Sequence, residues 1–201
     1  MEIFEIQPKD VEIPQRAIAA RMGFKGVGEI PDEFKHRYDE AMSIAMKIAK
    51  PVVAIENFPV YSPKTSQKGI LIDTIEITGT LAKSQLGKSV EVTAMLATLG
   101  SDLDDEIAKF HEDGEELKSF MLDAIGSELV EYVARHVDGE LRSRKSLKGS
   151  ARIAPGYVDL SISLNAWFAF KLGKFISVKS DPQSFTFLPR KTISAFIGWS
   201  N

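Results

Sequence analysis

The chain has 201 residues, 44% of them hydrophobic and 26% charged, with no cysteine and a net charge of −3 from 25 Lys and Arg against 28 Asp and Glu. Without cysteine there are no disulfides, thiolate metal sites, iron–sulfur clusters or cysteine nucleophiles, and the slight acidic balance argues against a general nucleic-acid binder. No apolar run reaches the ~18–20 residues of a membrane span, and the acidic opening from Met1 to Ile6 lacks the regions of a signal peptide, so a cytoplasmic protein is expected.

The opening Glu2-Ile3-Phe4-Glu5-Ile6 reads as a short strand or an arm. Pro14 suits a first helical turn and Gly23 a helix end, which predicts a short helix between them. Pro31-Asp32-Glu33 repeats the start signal. Phe34, Tyr38, Ala41, Ile44, Ala45 and Ile48 then fall at helical steps, giving an amphipathic helix that stops before Pro51. Beyond it the period changes to two. Val52–Ile55, the alternating Ile70, Ile72, Ile75 and Ile77, and Val90–Leu96 read as strands, with a small helix at Thr80–Leu86. Ser101 with Asp104 resembles a capping box that opens an acidic helix over Asp102–His111. A long helix over Glu115–Arg144 places Phe120, Leu122, Ile125, Leu129, Val133 and Val137 on one buried face. After a looped segment come a helix over Leu164–Leu172 and strands near Phe175–Val178, Ser184–Leu188 and Thr192–Ile197. Strands and helices in mixed blocks, with no linker or repeat, predict a single domain over residues 1–201 of class α+β, built on a mainly antiparallel sheet flanked by helices.

Several short motifs fail on inspection. Gly87-Lys88-Ser89 resembles the end of a P-loop, but Ala82 stands where the first glycine belongs, and a strand rather than a helix follows. Gly26-Val27-Gly28 has no third glycine and no preceding strand. Asp102, Asp104 and Asp105 lack the glycine and the bidentate Glu of a calcium loop and suit a helix start instead. His36, His111 and His136 lie far apart with no HExxH spacing, and there is no GxSxG elbow, so no metal site and no catalytic constellation is expected. Arg142, Arg144, Lys145 and Lys148 cluster at the end of the long helix, where they either complement its dipole or form a docking patch for an acidic partner.

Two stretches carry more information. In Arg152-Ile153-Ala154-Pro155-Gly156-Tyr157 the arginine offers a planar fork for a carboxylate, Pro155 a fixed approach, Gly156 room for close approach and Tyr157 a flat apolar face. The same Pro-Gly-Tyr also reads as a plain turn with an aromatic anchor. The second stretch is Leu188-Pro189-Arg190-Lys191-Thr192-Ile193-Ser194-Ala195-Phe196-Ile197-Gly198, with Pro189 at the beginning of a strand or on an edge.

Together and in this order the two stretches resemble the activation (reactivation) domain of cobalamin-dependent methionine synthase. Its Arg-x-x-x-Gly-Tyr signature falls here on Arg152, Gly156 and Tyr157, and a Pro-Arg-Lys strand follows. Gly23-Phe24-Lys25-Gly26, Lys50-Pro51, Asn57-Phe58-Pro59-Val60, Ala97-Thr98-Leu99-Gly100 and the helix from Leu122 to Glu131 resemble further landmarks, so the likeness spans most of the chain. The resemblance implies a curved antiparallel sheet with a shallow S-adenosylmethionine site. It also implies docking in trans on the cobalamin-binding domain of a methionine synthase, and reductive methylation of cob(II)alamin to methylcobalamin with a flavodoxin-like or other electron donor. Any methyl transfer from S-adenosylmethionine to cobalamin would then occur only in complex with that partner. Arg152 would hold the ligand carboxylate, Ala154 and Pro155 would offer backbone contacts, and Gly156 and Tyr157 would line the site. Glu128 or Glu131 would meet the ammonium. In fused members an Asp before the first helix contacts the ligand; here Val11 stands in its place with Asp10 and Glu12 beside it. Fused members also continue past the last strand to an aromatic backbone contact, whereas this sequence stops at Asn201. Two other classes of function stay in view: a structural or assembly subunit of a corrinoid methyltransferase that does not bind S-adenosylmethionine, and an independent methyltransferase, which would need a base or a substrate pocket.

Overall fold

The computed structural model describes residues 1–13, 15–61 and 69–201; Pro14, expected in the first helix, lies outside them. In chain order the elements are β1 (Glu2–Glu5), α1 (Gln15–Arg21), α2 (Asp32–Ile48), β2 (Val52–Pro59), β3 (Gly69–Ile72), β4 (Ile75–Thr78), α3 (Thr80–Leu86), β5 (Glu91–Thr98), α4 (Asp102–Glu112), α5 (Glu116–Arg144), β6 (Lys148–Gly149), α6 (Leu164–Lys171), β7 (Lys179–Ser180), β8 (Phe187–Leu188) and β9 (Thr192–Ser200). Five strands form a curled antiparallel sheet in the order β1-β2-β5-β9-β6, and two hairpins, β3-β4 and β7-β8, stand beside it. This is the expected α+β class. The opening segment is a strand, paired to β2 from Glu2 opposite Ile55 to Glu5 opposite Val52.

Both faces of the sheet are covered, which explains why its central strands read as unbroken apolar runs. Side chains alternate across β5. Met95 and Ala97 face one core with Val53, Ile55, Ile197 and the buried stripe of α5, while Val92, Ala94 and Leu96 face the other with Phe58, Phe168 and Phe196. The first core is closed by α1, α2, α4 and α5. The second, under α3, α6 and the hairpins, is aromatic: the ring of Phe196 lies 4.6 Å from that of Phe168 and 5.9 Å from that of Trp167. Among the described residues no helix is long and apolar enough to cross a membrane.

Several sequence expectations are corrected. On α5, Leu122, Ile125, Leu129, Val133 and Val137 are buried as expected, but Phe120 is 51% exposed. Residues two positions apart on a helix lie about 200° apart around its axis, so Phe120 cannot share a face with Leu122. The strand expected over Phe175–Val178 is instead a 3-10 turn at Gly173–Phe175, closed by Val178 N–H donating to the Gly173 carbonyl at 2.9 Å, with Ser177 at φ 57°. Over Ser184–Leu188 only Phe187–Leu188 pairs. Upstream of them the Asp181 carboxylate accepts from the Gln183 and Ser184 N–H groups and the Ser184 hydroxyl, a side-chain turn that competes with a strand. Pro189 lies between β8 and β9 rather than beginning a strand. The capping box at Ser101 does not form: Ser101 has helical dihedrals, and the Asp104 carboxylate accepts the Arg190 N–H instead.

The cationic cluster after α5 is spent largely within the chain. Arg142 pairs with Asp138, Arg144 with Glu2 and Glu140, and Lys145 with Glu91. Three of the four cations are thus paired within the chain, and Lys148 is exposed.

Phe196 joins the sheet to the aromatic core and is fully buried. Phe196→Ala should lower stability by about 3–5 kcal/mol in urea unfolding, whereas a loss below about 1 kcal/mol would contradict the packing described.

Candidate functional site

After β6 the chain runs on along the open side of β9 with one extra residue: Gly149 stands opposite Trp199, but Ile153 stands opposite Phe196, a bulge in the register. Ser150 N–H donates to the Gly198 carbonyl at 2.8 Å. Ile153 exchanges two bonds with Phe196, its N–H donating at 3.0 Å and its carbonyl accepting at 2.8 Å. Side chains alternate here too. Ile153 is buried with the aromatic core and also borders a cleft at the sheet edge, whose wall its neighbours Arg152 and Ala154 share. The segment then turns back sharply: Gly156 N–H donates to the Leu160 carbonyl at 2.8 Å, and Leu160 N–H to the Tyr157 carbonyl at 2.9 Å. Gly156 sits at φ 89°, and Val158 at φ 55°, a region that a β-branched residue rarely adopts.

That turn is held by Asp159. Its carboxylate accepts from Thr80 N–H at 2.5 Å, the Thr80 hydroxyl at 2.6 Å and Leu81 N–H at 3.1 Å, capping α3. These bonds to the charged form, the Thr80 hydroxyl first, lower the Asp159 pKa from 3.8 to about 2.

The cleft has a volume of about 490 Å³. Its walls are Ala151–Pro155 with Tyr157 and Val158, the first half of β9 (Thr192–Ala195), Leu81 and Gln85 of α3, Glu131 of α5, Asn165 of α6 and Phe187 of β8. Two buried polar side chains make its floor: Ser194 Oγ donates to Asn165 Oδ1 at 2.8 Å, and Asn165 Nδ2 donates to the Phe185 carbonyl at 3.1 Å. Because Phe196 directs its backbone groups toward Ile153, Ser194 and Thr192, at steps of two, direct theirs the same way, into the cleft. Among the described residues no strand pairs with that edge.

Arg152 is the charged centre of the wall, with 19% of its side chain exposed. Its Nη2 is 3.7 Å from Glu131 Oε2 and its Nε is 3.8 Å from Asp138 Oδ2. Both distances balance charge, yet both exceed hydrogen-bond reach. The guanidinium thus has counter-ions while its donors stay open to a planar acceptor.

The structure brings Arg152, Ala154, Pro155, Gly156, Tyr157 and Glu131 together, all of them on the cleft wall save Gly156, which makes its turn. Tyr157 stands at the mouth, 66% exposed. It does not bring Glu128 there: that carboxylate accepts from Arg21 Nε at 2.6 Å, facing α1. Val11 is buried in the helical core and Asp10 and Glu12 are exposed, and none of the three lines the cleft. Asp138, Asp159, Asn165 and Ser194 are parts of the site that sequence reasoning missed. The partners of Asp159, Asn165 and Ser194 are remote in the chain; Asp138 has a local partner, Arg142 at i+4, but that spacing marks a helix ion pair and not a ligand site. Among the described residues no group of three or more His, Asp or Glu side chains is placed to hold a metal ion.

No family model matches this chain, and no curated protein does. Among solved structures it is similar to a crystal structure of the MetH reactivation domain bound to AdoHcy, with a TM-score of 0.72 and 16% sequence identity, covering 98% of this chain and 77% of that one. The likeness is one of fold.

The Asp159 cap has a defined acid dependence. A pKa depressed on folding contributes stability above the unfolded value near 3.8, and that contribution disappears as pH falls through about 2. A carboxyl NMR titration should place the Asp159 midpoint near 2, and Asp159→Ala should speed amide exchange at Thr80 and Leu81. A midpoint left near 3.8 would show that the cap is not formed in solution.

Proposed function

We propose that the chain binds S-adenosylmethionine in this cleft and acts as a reactivation module, docking in trans on the cobalamin-binding domain of a methionine synthase and supporting reductive methylation of cob(II)alamin to methylcobalamin. The observation that carries this is the Arg152 guanidinium, held with open donors beside the Glu131 carboxylate in a cleft of about 490 Å³. A cation and an anion on one wall suit the zwitterionic end of an amino-acid nucleoside. The volume lies within the ~300–1,000 Å³ of small-ligand sites. The fold likeness to a domain bound to AdoHcy supports the same assignment.

In this assignment the ligand carboxylate takes the Arg152 fork in two short charge-assisted bonds, replacing the long contact to Glu131. Glu131, released, meets the ammonium. The Ala154 and Pro155 backbone and the open edge at Ser194 and Thr192 offer polar contacts along the nucleoside, and Tyr157 offers its ring at the mouth. Cobalamin, carried by the partner, supplies the nucleophile for an in-line methyl displacement. The duty of this chain is orientation and access, for which no general base is required. Access is open: Tyr157, Val158 and Ile162 are 66%, 84% and 42% exposed, an apolar rim for the partner to cover. A flavodoxin-like donor would deliver the electron to the complex.

Arg152→Ala should weaken S-adenosylmethionine binding at least about tenfold by calorimetry, a loss of ~1.4 kcal/mol or more; affinity retained within about twofold would remove Arg152 from the role assigned here. Ile162→Asp, on the rim but outside the cleft lining, should leave ligand binding by the isolated chain unchanged and weaken association with a cobalamin-loaded synthase. Full association by that variant would place docking elsewhere. The rival reading, an assembly subunit that binds no ligand, draws on Val11, a core residue in the place of a ligand-contacting Asp. It predicts no heat with S-adenosylmethionine, with or without the corrinoid protein.

A further inference from the structure

We infer that Arg142, anchored by Asp138, is the positioning residue of the cleft: it grips the carbonyls of Gly149 and Ser150, shortly before Arg152, and so sets where the Arg152 guanidinium stands. The inference rests on reading the cleft as the seat of a zwitterionic amino-acid nucleoside. Glu131, Asp138 and Arg142 follow one another on α5 at steps of seven and four, which puts them along one side of the helix. The three kinds of nitrogen of the Arg142 guanidinium are all engaged. Nε donates to Asp138 Oδ1 at 2.8 Å, Nη1 to the Gly149 carbonyl at 3.1 Å and Nη2 to the Ser150 carbonyl at 2.6 Å.

Those two carbonyls belong to the last residue of β6 and the residue after it, three and two positions upstream of Arg152. The second oxygen of Asp138 faces Arg152 Nε at 3.8 Å. One carboxylate thus registers both arginines, gripping Arg142 by a hydrogen bond and facing Arg152 by charge alone. Arg152 is held in place without its donors being consumed. Gly149 fits the same arrangement: a Cβ there would lie 2.7 Å from Arg142 Nη1 and 2.9 Å from the Trp199 ring, so the guanidinium reaches the backbone only because that position is bare. The grip needs a planar fork. A lysine keeps the charge but cannot span two carbonyls and a carboxylate in this geometry.

Arg142→Lys therefore separates geometry from charge. Calorimetry on the full chain, with its cobalamin-loaded partner where needed, would compare S-adenosylmethionine with 5′-methylthioadenosine, which lacks the amino-acid end. For Arg142→Lys we expect at least about tenfold weaker S-adenosylmethionine binding, with 5′-methylthioadenosine within about twofold of the wild type. Unchanged S-adenosylmethionine binding overturns the inference, and so does equal weakening of both ligands, which would mark a merely structural arginine. If the wild type binds neither ligand, the functional reading has failed but the positioning claim is still decided. In protein labelled at arginine nitrogen, solvent exchange of the Arg152 Nε–H should accelerate in Arg142→Lys, and unaltered exchange would overturn the claim. Should that variant not fold, Asp138→Asn, which removes the anchoring charge but leaves the carbonyl bonds, is expected to shift the same exchange in the same direction; no shift there overturns it equally.

Discussion

The site depends on two backbone hydrogen bonds between Ile153 and Phe196. They form an isolated bridge beyond the two-residue β6, one residue out of its register, and they fix which way the side chains nearby face. With Ile153 committed to the aromatic core, Arg152 and Ala154 must face outward. With Phe196 committed to Ile153, Ser194 and Thr192 must turn their backbone groups to the same side. A slip of one residue would bury the arginine and expose the isoleucine. The aromatic packing of Phe196 against Phe168 and Trp167 opposes such a slip, so the site inherits its register from the core. An open strand edge is ordinarily a hazard of unwanted pairing. Here it is recessed in a cleft, where only something small enough to enter can use it.

The electrostatics follow the same division between holding and leaving open. Arg152 is four-fifths withdrawn from solvent and would be costly without counter-charges. Glu131 and Asp138 supply them from α5 at distances too long for hydrogen bonds. A closer pair would hold the guanidinium more firmly but consume the donors a ligand needs. Asp138 is itself neutralised by Arg142, so it steadies Arg152 without fully cancelling its charge. The arrangement is a form of preorganisation: the side-chain ordering is settled before a ligand arrives.

How much of this is legible in the sequence varies with the range of the interaction. The helices are legible because their period is local: Phe34 to Ile48 and Leu122 to Val137 mark α2 and α5 by spacing alone. The core strands are legible as apolar runs, although β2, β5 and β9 extend further than the runs suggest, since Asn57, Thr98 and Ser200 also pair. The segment from Arg152 to Tyr157 stands out by residue type. What does not show is which carboxylate faces it. Glu128 and Glu131 are one helical turn apart, and only the docking of α1, through Arg21, takes Glu128 away. The pairing of the cationic run after α5 is hidden for the same reason, because Glu2 and Glu91, which neutralise two of its members, are remote in the chain. Asp181 shows the converse, a local side-chain turn overriding an alternation that suggested a strand.

Among the described residues Val158 is the β-branched one of four non-glycine residues at positive φ, beside Asp73, Ser177 and Phe185. A β-branched residue at φ 55° costs roughly 1–2 kcal/mol relative to glycine. Nothing in the packing asks for valine there, since its side chain is 84% exposed. The conformation persists because both flanks are fixed: Gly156 and Tyr157 are tied to Leu160, and Asp159 is tied by three hydrogen bonds to the start of α3. Glycine would relieve the strain and leave those bonds intact, but it would remove the apolar side chain. The fold thus holds an exposed hydrophobic group, at an energetic cost, at the mouth of the cleft that Arg152 faces. In the docking proposed above, that side chain, beside Tyr157, would be part of the surface the partner covers.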